Sequence, residues 1–182
     1  IAICGFSAGG HNCAMYATHW SKEVVAGALG ADPALLRPNA MILGYALLDL
    51  LHGASPRNSL AAALDRDLRT IVCGESPASE ERLSQVSPYL LVDEDTPPTF
   101  LWATGSDQTV PVQHSLRFAL ALAEHHIPFE MHVFEQGPHG LALADQASAS
   151  DVSEVNPDAA KWVPLAQAWL AKRFALPLSE GH

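Results

Sequence analysis

IAICGFSAGG, residues 1–10, is a short apolar run that leads into the pattern Gly-x-Ser-x-Gly. An apolar run followed by this pentapeptide and then by a segment of helical period predicts a strand, a tight turn and a helix. Gly5 and Gly9 stand two positions before and after Ser7, where such a turn leaves little room for side chains. We therefore predict that Ser7 is a nucleophile and that the backbone N–H of Ala8 is one donor of an oxyanion hole.

A glycine-rich turn between a strand and a helix has other uses, which this pentapeptide alone does not exclude. Such turns bind phosphate groups in nucleotide-binding folds, or simply close a loop. The phosphate-binding version carries a lysine, and none stands between Gly5 and Gly10. The nucleophile interpretation is favoured because it also accounts for residues farther along the chain.

Beyond this turn, short apolar runs alternate with longer segments of helical period, a pattern typical of an α/β fold with a mostly parallel sheet flanked by helices. The predicted strands are Ile1–Cys4, Met41–Ala46, Thr99–Thr104 and Phe129–Phe134, and the predicted helices are Ala8–Trp20, Pro111–His126 and Asp158–Phe174. Residues 49–95 are dense in Ser, Pro, Asp and Arg. We predict one domain over residues 1–182, with a cap inserted at 49–95.

The chain begins Ile-Ala-Ile-Cys without a methionine, as if inside a buried strand. We expect the amino-terminal strands of the same domain to lie upstream, together with the second oxyanion donor. An uncovered strand edge would favour association, which makes a homo-oligomer a further expectation.

The acid and the base are expected in loops that follow two later strands. Asp107 stands in ATGSDQTVP, residues 103–111, and His139 stands in EQGPHG, residues 135–140. Loops at the carboxyl ends of parallel strands meet at one edge of the sheet, where Ser7 also lies. We predict His139 as general base and Asp107 as the acid that orients it. Asp49, which follows another predicted strand, is the alternative acid.

The remaining histidines and the cysteines are given structural roles. The chain has nine histidines and three cysteines. His11 is expected to pack along the helix that follows Ser7. No histidine pair has metal-ligand spacing beside a carboxylate, so we expect neither a metal nor a cofactor. The cysteines lack CxxC spacing and are predicted to be reduced, buried thiols.

Composition argues against two classes of partner. The chain has 182 residues, a formal net charge of −10, and 48% apolar and 16% charged residues. This charge would repel nucleic acid and anionic lipid headgroups. No apolar run approaches the roughly 20 residues that cross a bilayer, and we expect a cytoplasmic protein without a membrane partner.

Four motifs in order resemble the α/β-hydrolase esterases of the acetyl-xylan-esterase-like and feruloyl-esterase-like type. They are Gly5-Phe6-Ser7-Ala8-Gly9-Gly10-His11, Pro97-Pro98-Thr99-Phe100, Asp107 with Val110-Pro111 and Ser115, and Gly137-Pro138-His139-Gly140. The resemblance implies hydrolysis of small carboxylic esters, often acetyl groups on sugars. It also implies a His-Gly-Gly type loop, upstream of the first motif, that completes the oxyanion hole.

Two rival functions remain open from the sequence. One is a serine peptidase of the prolyl-oligopeptidase type, which shares the late order of motifs. The other is a non-catalytic binding relative that has kept the three side chains. For the esterase, we expect the rate to fall at acidic pH, because a protonated His139 cannot accept the proton of Ser7.

Overall fold

Four parallel strands form the sheet of this computed structural model, which describes residues 1–52, 59–74 and 76–175. In spatial order they are β1 (Ala2–Phe6), β2 (Ala40–Gly44), β3 (Thr99–Thr104) and β4 (Phe129–Phe134). The three neighbouring pairs are all parallel. The predicted bounds of β3 and β4 are confirmed. The second strand is shorter than predicted and ends before Tyr45.

The helices are α1 (Ser7–Ala17), α2 (Glu23–Leu29), α3 (Pro33–Leu36), α4 (Ser59–Cys73), α5 (Glu80–Gln85), α6 (Gln113–Glu124) and α7 (Trp162–Arg173). Short 3-10 turns cover Pro88–Leu90, Val152–Glu154 and Ala159–Lys161. The three predicted flanking helices are confirmed as α1, α6 and α7, each shorter than predicted. The sequence did not predict α2 and α3, which are too short to show a clear apolar period.

Helices cover both faces of the sheet, and every residue of β2 and β3 is buried for this reason. On one face, Leu43 and Leu101 pack with Phe118 of α6 and with small residues of α1. On the other face, Trp102 packs with Trp162 of α7. The edge strands β1 and β4 are only partly buried. Because all four strands are parallel, their carboxyl ends lie along the same edge of the sheet.

The predicted cap at 49–95 contains α4, α5 and the turn at Pro88–Leu90. A small apolar cluster joins it to the rest of the protein: Leu47, Leu50, Cys73, Leu83 and Val110. Residues 53–58 and 75 of the cap, and residues 176–182, lie outside the described residues. The division into one domain with a cap stays a prediction.

The cysteines depart from the prediction of buried thiols. Cys73 is buried, but Cys13 is partly exposed and Cys4, on the edge strand β1, is exposed. All three are free thiols. The apolar neighbours of Cys4 in the sequence suggested burial, and among the described residues Cys4 lies on β1, at one end of the strand order. Over the described ranges, no helix is long and apolar enough to cross a membrane.

Candidate active site

Ser7 lies at the turn between β1 and α1, in a backbone conformation that L-residues rarely adopt. Its φ angle is 51°, in the left-handed region that costs a non-glycine residue roughly 1–3 kcal/mol. The carbonyl of Ser7 accepts a hydrogen bond from Leu47 N at 3.2 Å, so the segment after β2 helps to hold the turn. The Gly-x-Ser-x-Gly motif predicts this geometry.

The glycines around Ser7 differ in how much space they have. A Cβ at Gly5 would lie 2.4 Å from the Gly9 carbonyl oxygen, and a Cβ at Gly10 would lie 2.4 Å from the Ala46 Cβ. These two positions therefore require glycine. A Cβ at Gly9 would meet nothing within 4 Å. The expectation that the turn leaves no room for a side chain at Gly9 is wrong. Gly9 takes part in the close contact through its backbone carbonyl, which lies against Gly5.

Ser7, His139 and Asp107 form one hydrogen-bonded chain across three strand ends. The Ser7 Oγ lies 2.8 Å from His139 Nε2, and His139 Nδ1 lies 2.7 Å from Asp107 Oδ2. A carboxylate can only accept, so Nδ1 carries the proton and Nε2 is the acceptor that faces the serine hydroxyl. In sequence, His139 is 132 positions from Ser7 and 32 positions from Asp107. The structure brings together all three side chains that the sequence proposed.

The carboxylate of Asp107 is fully buried and held by its own loop. Its Oδ1 accepts hydrogen bonds from the backbone N–H groups of Thr109 at 2.8 Å and Val110 at 3.0 Å. The side chain of Asp107 has no exposed surface, while that of His139 keeps 19%. Buried carboxylates stay charged only when such donors compensate them. Asp107 therefore has one oxygen fixed by the backbone and the other free for His139.

The loop that carries His139 is tied to the end of β3. The Gly137 carbonyl accepts hydrogen bonds from the hydroxyls of Thr104 at 2.8 Å and Ser106 at 3.1 Å, and Gly137 N donates to Ser106 Oγ at 2.9 Å. A side chain at Gly137 would meet Leu141 and Thr104 at 2.8 Å. Because β3 also leads to Asp107, these bonds fix the histidine loop relative to the acid. Thr104 and Ser106 could not be predicted from the sequence, since a hydroxyl near a strand end has no distinctive pattern.

Ala8 lies in the first turn of α1, where backbone N–H groups point away from the helix. Among the described residues, no side chain caps this end of α1. The first N–H groups of a helix lack intrahelical partners and carry the positive end of the helix dipole. Ala8 N–H is therefore placed where a negative oxygen beside Ser7 would be stabilised.

A comparison with protein families decides the affiliation of this chain. The family model described as BD-FAE matches residues 1–122, a range that includes Ser7 and Asp107. The chain belongs to the BD-FAE family. His139 lies beyond the matched range.

Individual relatives agree with the BD-FAE assignment. A carboxylesterase from Lactobacillus plantarum WCFS1 superposes with a TM-score of 0.75 at 29% identity, over 98% of this chain and 60% of its own. An acetyl ester-xyloside bifunctional hydrolase from Caldicellulosiruptor lactoaceticus gives a TM-score of 0.69 at 31% identity, over 97% and 57%. Endo-1,4-beta-xylanase B of Butyrivibrio fibrisolvens is 37% identical over 145 residues, 80% of this chain and 21% of the relative.

These relatives establish the fold of this BD-FAE chain as that of the α/β hydrolases, as the resemblance implied. The chain spans at most about 60% of the length of these relatives.

Asp49, the alternative acid, lies in a different environment of this BD-FAE chain. Its Oδ2 accepts hydrogen bonds from Arg117 Nη1 at 2.6 Å and from His52 Nδ1 at 2.7 Å, and its Oδ1 accepts from Leu51 N and His52 N. Both oxygens are thus engaged with groups other than His139. Asp49 anchors the loop after β2 and joins it to α6.

The other side chains considered from the sequence have structural contacts. His11 is buried, and its Nε2 lies 2.9 Å from the carbonyl oxygen of Val86, which ties α1 to the cap segment. Within residues 1–52, 59–74 and 76–175, no group of three or more His, Cys, Asp or Glu could hold a metal ion.

Proposed function

We propose that the BD-FAE protein to which this chain belongs is a serine esterase that hydrolyses small carboxylic esters. One observation carries the proposal: the continuous hydrogen-bonded chain from Ser7 Oγ through the His139 imidazole to the buried Asp107 carboxylate. A serine hydroxyl is a weak nucleophile near neutral pH and needs a base within hydrogen-bond distance. The 2.8 Å separation from His139 Nε2 meets that need.

The proposed reaction has two halves. Ser7 Oγ attacks the ester carbonyl while its proton moves to His139 Nε2, and the imidazolium then gives this proton to the departing alcohol. An acyl group remains on Ser7. Water, activated by His139, attacks this acyl-enzyme and releases the carboxylic acid. Asp107 holds the tautomer with the proton on Nδ1 and stabilises the imidazolium, and no cofactor takes part.

The negative oxygen of each tetrahedral intermediate needs hydrogen-bond donors. We assign one of them to Ala8 N–H, at the uncapped amino terminus of α1. One such donor is worth about 10²–10³-fold in kcat. We expect a second donor from the rest of the protein, since the solved relatives are longer than this chain.

The names of the relatives guide the choice of substrates. One solved relative is an acetyl ester-xyloside bifunctional hydrolase, and the sequence relative is a xylanase. We propose O-acetyl groups on sugars, and acetylated xylo-oligosaccharides first, as natural substrates of the present protein.

The test is the hydrolysis of p-nitrophenyl acetate by the full-length protein and its Ser7→Ala variant. We expect kcat to fall by about 10⁶-fold, because the nucleophile is lost and the other groups act only through it. Ser84→Ala is the matched control, since the Ser84 hydroxyl lies in the cap segment and donates to the Glu80 carbonyl. That variant should keep wild-type activity.

Two outcomes would contradict the proposal. Equal activity in wild type and Ser7→Ala would exclude Ser7 as the nucleophile. No activity in the wild type toward any ester would favour a non-catalytic binding relative. If the wild type is active and Ser7→Ala is not, a second assay compares two substrates. Hydrolysis of acetylated xylo-oligosaccharides indicates an esterase, and hydrolysis of a matched peptide p-nitroanilide indicates a serine peptidase.

A further inference from the structure

Tyr45 occupies an unusual place immediately after β2. Its φ angle is 36°, which is an outlier for a bulky residue. The side chain is buried, and burial raises the pKa of the phenol above its usual value. A strained residue of this kind persists only where several surrounding contacts hold it.

The hydroxyl of Tyr45 anchors the segment that follows His139. Tyr45 Oη accepts a hydrogen bond from Ala142 N at 3.0 Å, and the Ala142 carbonyl accepts one from Trp162 Nε1 at 2.9 Å. Ala142 has a φ of 49°, a conformation that costs alanine energy. Two side chains thus clamp this residue from both sides and offset the strain of its backbone.

The ring of Tyr45 contacts the imidazole itself. The two ring centroids lie 4.9 Å apart with an interplanar angle of 73°. The other side of Tyr45 rests on Phe6 and Trp102, at centroid distances of 5.7 and 5.0 Å. This aromatic support is rigid, because Trp102 is fully buried.

We propose that Tyr45 is a positioning residue for His139 and that it acts through its hydroxyl, which holds the loop at Ala142 while the ring packs against the imidazole. The inference rests on the proposed role of His139 as general base. Tyr45 links the strand end next to Ser7 with the histidine loop. By holding this loop, it helps to fix the distance between His139 Nε2 and the serine hydroxyl.

The test compares Tyr45→Phe with wild type in the full-length protein. The substitution keeps the ring and removes only the acceptor of Ala142 N–H. We expect kcat for p-nitrophenyl acetate to fall between about 10- and 100-fold, since small misplacement of a base is costly. KM should change less than about twofold, because ground-state binding is untouched. The rate at which phenylmethylsulfonyl fluoride inactivates Ser7 should fall by the same factor as kcat.

Tyr16→Phe is the matched control, because the Tyr16 hydroxyl also makes one bond to the backbone, at 2.7 Å to the Leu36 carbonyl. It should leave kcat unchanged. A second variant tests whether activity can be restored. Ala142 has a positive φ, which glycine adopts without strain. The double variant with Ala142→Gly should therefore recover part of the kcat lost in Tyr45→Phe.

The outcomes separate this inference from the proposed function. Wild-type kcat and inactivation rate in Tyr45→Phe, in an active protein whose Ser7→Ala variant is dead, would overturn the positioning role alone. A loss of circular dichroism signal in Tyr45→Phe would also overturn it, since Tyr45 would then serve the core. An inactive wild type would instead contradict the proposed function.

Discussion

Two carboxylate–histidine pairs in this protein have nearly the same local geometry. In each, the histidine Nδ1 lies 2.7 Å from an aspartate Oδ2, in Asp107–His139 and in Asp49–His52. In each, the other oxygen of the aspartate accepts two backbone N–H groups. Both aspartate side chains have no exposed surface. A tyrosine ring lies beside each histidine.

The pairs differ in what surrounds them. His139 keeps 19% of its side-chain surface and faces the Ser7 hydroxyl, whereas His52 keeps 49%. The Asp49 carboxylate also carries an ion pair with Arg117 at 2.6 Å. Arg117 supplies a permanent positive charge, so Asp49 has less capacity to stabilise a protonated histidine. The tyrosine beside His139 is buried, and the one beside His52, Tyr89, is only partly so.

Under the proposed function, a carboxylate–histidine hydrogen bond is not sufficient for a serine-hydrolase site. A base also needs a nucleophile within hydrogen-bond distance and a loop that holds the ring. Of the two pairs, Asp107–His139 is the one bonded to a serine hydroxyl. We interpret Asp49–His52 as a structural pair that fixes the loop after β2.

The largest expected difference is between Asp107→Asn and Asp49→Asn. Asp107→Asn should lower kcat about 10⁴-fold, because asparagine favours the wrong tautomer of His139. Asp49→Asn should keep kcat and instead lower the free energy of unfolding by about 1–3 kcal/mol, since buried hydrogen bonds to a charged group are weakened. Steady-state kinetics and urea denaturation measure the two effects.

His52→Ala is the control for this pair of variants and should be as active as the wild type. A large loss of kcat in Asp49→Asn, with Asp107→Asn retaining activity, would reverse the assignment of the two aspartates.

A smaller difference, in the pH dependence of stability at alkaline pH, is expected between the tyrosines beside the two histidines. Burial raises the pKa of Tyr45, and burial together with the charge of Asp49 raises that of Tyr89. The unfolded chain ionises its phenols near pH 10, and the folded protein does so at higher pH. The contribution of these two phenols to the free energy of unfolding is therefore complete below about pH 10. It is lost as pH rises through the pKa values of the folded protein.

We expect Tyr45→Phe to lose less stability than the wild type between neutral pH and about pH 11, and Tyr89→Phe to show a weaker change of the same sign. Urea denaturation at a series of pH values measures both. An alkaline loss that is identical in all three proteins would contradict the buried environment of Tyr45.

Much of this architecture follows from the sequence. The strands β3 and β4 are apolar runs with clear ends, and Ser7, Asp107 and His139 each stand in a loop directly after a strand. Parallel strands bring such loops to one edge, so the meeting of the three side chains could be predicted from order alone. The Gly5 contact with the Gly9 carbonyl follows in the same way from the tight turn, whereas Gly10 meets Ala46, which comes after another strand.

Other features depend on long-range packing that local patterns do not encode. Tyr45, which has a positive φ, packs against the rings of Trp102 and His139, and both are far away in sequence. Asp49 resembles Asp107 in its position after a strand, and its ion pair with Arg117, 68 residues away, is one of the contacts that distinguish it. The local sequence around these residues does not predict these long-range contacts.

The acyl-enzyme provides the most direct test of the account. The full-length protein is mixed with p-nitrophenyl acetate, quenched in acid within the first turnovers, digested and analysed by mass spectrometry. The account predicts one acetyl group on the peptide that contains Ser7 in the wild type, and none in Ser7→Ala. An acetyl group on another residue, or turnover without any acetylated Ser7 under these conditions, would contradict it.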